Sequence, residues 1–164
     1  MSNLLLMRHA KSDWSRNESD RERPLKKRGR RDAQQMGQRL HDRQFSLQTL
    51  ICSPAVRARE TAEIVSRVLG FDLQQIIYLD DLYLASPDTL LDEIQAYANT
   101  GNLMAVGHNP GMTSLVNRLA SGRIDNMPTA AYALFEIGDG LFKAGSVYPA
   151  SIDFPTNPGE PFAA

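Results

Sequence analysis

Two histidines and two arginines stand where short apolar runs stop. Leu4-Leu5-Leu6-Met7 ends at Arg8-His9, and Ala105-Val106-Gly107 runs into His108. Ile51-Cys52-Ser53-Pro54 is followed at once by Arg57 and Arg59. A guanidinium offers a rigid donor fork that matches two oxygens of a phosphoryl group. A neutral imidazole attacks phosphorus through one ring nitrogen when the other donates a fixed hydrogen bond, often to a backbone carbonyl. His9 is therefore the candidate nucleophile, and Arg8 and Arg57 are the candidate clamps. His108 is placed to donate to phosphoryl oxygens and stabilise charge in the transition state. Arg57 also falls in the first turn of a predicted helix, whose free N–H groups favour the same anion.

Asp80 and Asp81 follow a predicted strand and would reach the mouth of such a pocket, where a protonated carboxyl helps an alkoxide to leave. Ser12 and Asn109 are secondary candidates for orienting a phosphoryl oxygen or a water. Closely spaced histidine pairs of the HxH or HxxxH kind are absent, and the arginines repel a cation, so neither a metal nor a cofactor is expected.

The elements that must position these residues read clearly. Leu4 to Met7, Leu47 to Cys52, Gln75 to Leu79 and Leu103 to Val106 are predicted strands. Helices are predicted from Leu25 to about Arg43, from Ser53-Pro54 (cap and first position) to Gly70, from Ser86-Pro87 toward Gly101, and from Pro110 to Leu119. Lys11 to Arg23 reads as a polar surface loop pinned by Trp14. Tyr132 to Ile137 and Leu141 to Tyr148, joined through Gly138-Asp139-Gly140, read as an antiparallel hairpin. Strands alternating with helices specify an α/β fold, a three-layer α/β/α sandwich with a mostly parallel central sheet. Ligands of such sheets bind beyond the carboxyl ends of the strands, which is where all three motifs lie. Residues 1–150 form the expected single domain and 151–164 a Pro-rich tail.

Composition narrows the function classes. The 164 residues carry a formal charge of −1, so no general affinity for nucleic acid or a membrane is expected. Charge is uneven, however: Arg21 to Arg31 holds five Arg, two Lys and one Glu, a solvated helix start or a basic rim for an acidic substrate. One cysteine, Cys52, excludes a disulfide framework. No apolar run reaches the ~18 residues of a membrane span, and the first residues lack secretory-signal features, which predicts a cytoplasmic protein.

Taken together, Leu6-Met7-Arg8-His9-Ala10, the run from Ser53 to Ala62, and Val106-Gly107-His108-Asn109-Pro110 resemble the signatures of the histidine phosphatases, the phosphoglycerate mutase-like superfamily. Arg23-Pro24-Leu25 fits as well. The resemblance is closest to the SixA phosphohistidine phosphatases, with Ala10 standing where the superfamily usually has glycine. It implies that His9 is phosphorylated in the reaction, that Arg8, Arg57 and His108 complete the phosphate pocket, and that Asp81 lies nearest the position of an acidic proton donor. The expected substrate is a phosphohistidine protein. A small phosphomonoester treated by the same mechanism, and a phosphate-recognition module without turnover, are the competing readings.

Overall fold

Four consecutive fully buried side chains, Leu4 to Met7, require a strand covered on both faces, and β1 (Ser2–Arg8) is that strand. The computed structural model describes residues 2–120, 124–138 and 147–153. After β1 come α1 (Lys27–Asp42), β2 (Thr49–Cys52), α2 (Val56–Leu69), β3 (Ile77–Tyr78) and α3 (Pro87–Ala96). Then follow β4 (Leu103–Gly107), α4 (Gly111–Leu119), β5 (Tyr132–Ile137) and β6 (Val147–Asp153). The sheet order is β3-β2-β4-β1-β5-β6; β1 to β4 are mutually parallel, and β5 pairs antiparallel with both β1 and β6.

Alternation along β1 divides the core into two layers. Leu5 and Met7 pack with Ala33, Met36 and Leu40 of α1 and Ala58, Ala62 and Val65 of α2. Leu4 and Leu6 pack on the other face with Leu90 and Ile94 of α3 and Met112, Leu115 and Val116 of α4. The helix that follows β1 thus covers one face and the helix that follows neighbouring β4 covers the other. A crevice opens where adjacent strands send their chains to opposite sides.

The predicted elements are present, with four differences. The third strand shrinks to two residues because a 3-10 turn, Leu73–Gln75, occupies its expected start. Ser53 does not cap α2: the helix starts at Val56 with Ala55 in the cap position, and the Ser53 hydroxyl accepts from Ala55 N–H and meets a histidine. The second hairpin strand, described from Val147 onward, reaches Asp153, past residue 150. The predicted turn residues Asp139 and Gly140, the predicted strand residues 141–146, and the tail from residue 154 lie outside the described residues. Finally, Trp14 does not pin its loop by burial; it is 72% exposed and stacks on the Arg23 guanidinium, 3.5 Å from ring centre to Cζ.

Candidate active site

Register alone brings the two histidines together. In the parallel β1–β4 pair Arg8 lies opposite Gly107, so the next residue of each chain, His9 and His108, emerges beside the other. Their ring centroids are 5.1 Å apart. In the β2–β4 pair Cys52 lies opposite Val106, which delivers Ser53 to the same edge. His9 N–H donates to the Gly107 carbonyl at 3.0 Å, and the His9 carbonyl accepts from Ala130 N–H at 3.1 Å. The nucleophile candidate is therefore fixed by backbone before its side chain makes a contact.

The His9 ring has one tautomer that satisfies its partners. Nδ1 lies 2.8 Å from the Ala10 carbonyl, an acceptor, so Nδ1 carries the proton. Nε2 then presents its lone pair, and Arg57 Nε–H donates to it at 3.3 Å. Burial lowers the proton affinity of His9 to a pKa of about 3, the Ala10 bond opposing and the charges of His108, Arg57 and Arg8 adding to it. Burial and then Arg57 lower His108 to about 3 as well. Both rings are neutral at pH 7, and a nucleophile is useful only in that state.

His108 is supported from two sides. Its Nε2 lies 2.7 Å from the fully buried Ser53 hydroxyl, and Tyr83 packs edge-on at 5.5 Å between centroids. Its Nδ1 is buried without a hydrogen-bond partner among the described residues. The same holds for Arg8 Nε, although Arg8 Nη1 donates to the Met127 carbonyl at 3.0 Å. Buried polar atoms of this kind mark places where a further hydrogen-bonding group belongs.

Arg57 is 2% exposed and its donors are divided between two partners. Nε faces His9, while Nη1 donates to the Asp20 carbonyl and Nη2 meets the Asp20 carboxylate at 3.0 Å. The same carboxylate accepts from Arg23 Nη1 at 2.8 Å and from the Tyr83 hydroxyl. Desolvation favours its neutral form, but the bonds from Tyr83, Arg23 and Arg57 outweigh that and hold Asp20 well below the usual carboxylate range. Thr61 ties the arginine to the nucleophile through the backbone. Its hydroxyl donates to the Arg57 carbonyl at 2.7 Å and accepts from Ala10 N–H at 2.9 Å.

These groups line a cleft of about 250 Å³. Among the described residues Arg8, Lys11, Arg23 and Arg57 supply its cations, and Asp20 is the one carboxylate in its lining. The cleft therefore suits a multiply charged anion. No three His, Cys, Asp or Glu side chains gather as a metal site among the described residues. No helix among them is long and apolar enough to cross a membrane.

The structure brings Arg8, His9, Arg57, His108, Ser12 and Asn109 to one cleft, and leaves Asp81 out. Asp81 sits exposed on a 3-10 turn, Asp80–Leu82, and its neighbour Asp80 is spent on Arg21 at 3.2 Å. The carboxylate that lines the cleft is Asp20, from the loop before α1, and it reaches Arg57 and not the histidines themselves. Asn109 lines the cleft, but its amide is committed to the protein. Nδ2 donates to Asn126 and to the Met127 carbonyl, and Oδ1 accepts from Thr113 N–H and hydroxyl. Ser12 Oγ accepts from Arg23 Nε at 3.0 Å. Much of the basic stretch is paired: Arg21, Arg28 and Arg30 meet Asp80, Asp32 and Glu60, and Arg23 is the member that lines the cleft. Sequence reasoning passed over Asp20, Ser53, Thr61 and Tyr83; only the Arg23-Pro24-Leu25 signature pointed at this loop.

Comparison with known proteins decides the family. The model of the histidine phosphatase superfamily (branch 1) matches residues 4–85, half of the chain. Uncharacterized protein Rv1276c of Mycobacterium tuberculosis is 37% identical over 116 residues, 70% of each chain. The chain belongs to the histidine phosphatase superfamily. A crystal structure of an Agrobacterium tumefaciens protein assigned as the phosphohistidine phosphatase SixA is 29% identical, with a TM-score of 0.74 over 82% of this chain and 91% of that one. The protein histidine phosphatase SixA complexed with tungstate shares the fold, with a TM-score of 0.82 at 23% identity over 94% and 98% of the two chains.

This histidine phosphatase is thus a phosphatase with a SixA-like fold. Ala10 in place of glycine costs it nothing in backbone strain. Among the described residues the positive-φ ones other than glycine are Gln44, Leu84 and Ala130, and Ala10 is fully buried with both its N–H and its carbonyl bonded.

Proposed function

We propose that the protein is a phosphohistidine phosphatase acting on proteins, with His9 Nε2 as the atom that takes the phosphoryl group. The supporting observation is the state of Asp20, the single carboxylate lining the cleft among the described residues. Asp20 is held ionised by two arginines and a tyrosine, so the described cleft offers no protonated carboxyl to an alkoxide leaving group. An imidazole leaving group does not need one, because it departs neutral when its other nitrogen carries a proton.

Two displacements account for the reaction. His9 Nε2 attacks phosphorus as the bond to the substrate nitrogen breaks, and Nδ1–H stays on the Ala10 carbonyl throughout. Arg8, Arg57 and His108 meet the charge on the phosphoryl oxygens, the main demand in a loose phosphoryl-transfer transition state. Water then attacks phosphorus, His9 leaves as the neutral imidazole it was, and the proton of the water goes to the departing phosphate. Side chains supply all the positive charge in this scheme, so activity should survive a chelator.

A cleft of about 250 Å³ lies below the roughly 300–1,000 Å³ of sites that enclose a whole small ligand. It suits the reacting end of a larger molecule. The decisive experiment mixes a phosphohistidine protein with wild type and H9A and analyses acid-labile phosphate on the enzyme. Phosphate should pass through His9 in wild type and be released. Turnover by H9A at the wild-type rate would refute the scheme, and wild-type turnover confined to small phosphate esters would refute the substrate.

A further inference from the structure

The two exposed large apolar side chains among the described residues both belong to the cleft: Trp14, 72% exposed, and Leu84, 54% exposed. Neither is a loose surface residue. Trp14 lies against the Arg23 guanidinium, and Arg23 is itself held by Ser12 and Asp20. The loop around it is fixed by Ser15 N–H and hydroxyl donating to the Asp13 carboxylate, and by Asp13 N–H donating to the Pro24 carbonyl at 2.8 Å.

Leu84 is held under strain. Its φ is +50°, a left-handed conformation that a residue with a Cβ adopts only at a steric cost. Both neighbours enforce it. Tyr83 is bonded to Asp20, and the Ala85 carbonyl is pressed so close to α4 that a Cβ on Gly111 would lie 2.0 Å from it. Strain that is held in place at a site rim is a pointer to function. Here it keeps an apolar side chain on the cleft.

We propose that Trp14 and Leu84 form the platform for the leaving group and select the imidazole ring of a phosphohistidine side chain over aliphatic phosphates. This rests on the phosphohistidine reading above and adds the residues that recognise the ring. The cleft interior is cationic and its exposed apolar groups are these two, so its substrate carries a phosphoryl group on an apolar, planar body. A phosphorylated metabolite rich in hydroxyls or carboxylates would set those groups against an indole and a leucine, where their hydrogen bonds to water have no replacement. An imidazole ring meets an indole favourably, as aromatic pairs do.

The test uses two substrates with the same P–N bond: phosphoramidate, which has no ring, and a phosphohistidine peptide. For wild type, W14A, L84A and L84G, kcat/KM is measured on each and the peptide-to-phosphoramidate ratio is taken. Each variant is expected to lower that ratio about tenfold. L84G should do so while holding or raising the melting temperature, because it releases the backbone strain. An unchanged ratio, with both substrates falling together, would overturn the proposal and show that these residues only support Arg23 and Asp20. If wild type turns over neither P–N compound, the phosphohistidine reading falls first and takes this one with it.

Discussion

Asp20 grips Arg57 by the outer edge of its guanidinium, with the carboxylate at 3.0 Å from Nη2 and the backbone carbonyl on Nη1, while Nε of the same group points at His9. The arrangement orients a buried cation toward the nucleophile. D20A leaves Arg57 without a counter-charge and frees Arg23 and Tyr83. Because Asp20 is itself half-exposed, water replaces part of the loss. The expected outcome is a fall of about tenfold or more in kcat/KM on any phosphoryl substrate, together with a lower melting temperature. Steady-state kinetics and a thermal melt check it; full activity in D20A would show that Arg57 needs no such holder.

The two neutral histidines make stability depend on pH in a defined window. Their folded values, about 3, lie below the ordinary 6.5, so the unfolded chain binds the protons first. The stabilisation is complete above about pH 6.5 and is lost as pH falls toward 3. Denaturant midpoints at pH 7.5 and 4.5 should therefore differ, with the lower one in acid. H9N and H108N should each narrow the gap, since asparagine takes up no proton. A gap unchanged in both variants would mean that the acid sensitivity belongs to carboxylates alone.

S53A tests the support of His108. The hydroxyl is fully buried and 2.7 Å from Nε2, so its removal leaves a buried ring nitrogen unpaired, at a cost of roughly 1–3 kcal/mol. Activity should fall about tenfold with little change in the apparent affinity for inorganic phosphate if His108 acts mainly on the transition state. A loss confined to phosphate affinity would assign it to ground-state binding.

The sequence made the catalytic edge legible because its residues are tied to strand ends. Once β1, β2 and β4 are parallel neighbours, Arg8, His9 and His108 have one place to go, and Arg57 follows in the first turn of α2. The lining from the loop before α1 was not legible in the same way. Asp20 and Arg23 pair locally, three residues apart, but it is Arg57 and Tyr83, about 40 and 60 positions away, that hold Asp20 on the cleft, and no local pattern encodes those contacts. Ser53 was concealed by a stronger local signal, since serine before proline reads as a helix cap. Asp81 followed a strand as an acid should, yet the 3-10 turn at Asp80–Leu82 carries it outward.

D81N isolates that last point. Asp81 is exposed and does not line the cleft, so the substitution is expected to change kcat/KM by less than about twofold on ester and P–N substrates alike. A selective collapse of ester hydrolysis would instead restore it as a proton donor, through a movement that brings the turn over the cleft.

Gly29 and Gly37 separate helix propensity from site support, because both lie buried on α1 and alanine favours a helix over glycine by up to about 1 kcal/mol at either position. A Cβ at Gly29 would lie 2.1 Å from the Lys11 carbonyl, a backbone atom that also accepts from Lys26 N–H at 3.0 Å. It has no soft direction in which to retreat: Ser12, the next residue, bridges to Leu25, and His9 stands two residues before Lys11. A Cβ at Gly37 would approach the Val68 Cβ at 3.1 Å, a contact that a small rearrangement relieves. G29A should therefore lose roughly 1–3 kcal/mol of stability and most of its activity, the overpacking cost exceeding the propensity gain. G37A should stay within about 1 kcal/mol of wild type and keep its activity. Melting curves and kcat/KM for the pair decide the matter: equal behaviour of the two variants would mean that the Lys11 segment yields freely, and that the backbone around His9 is not braced by α1.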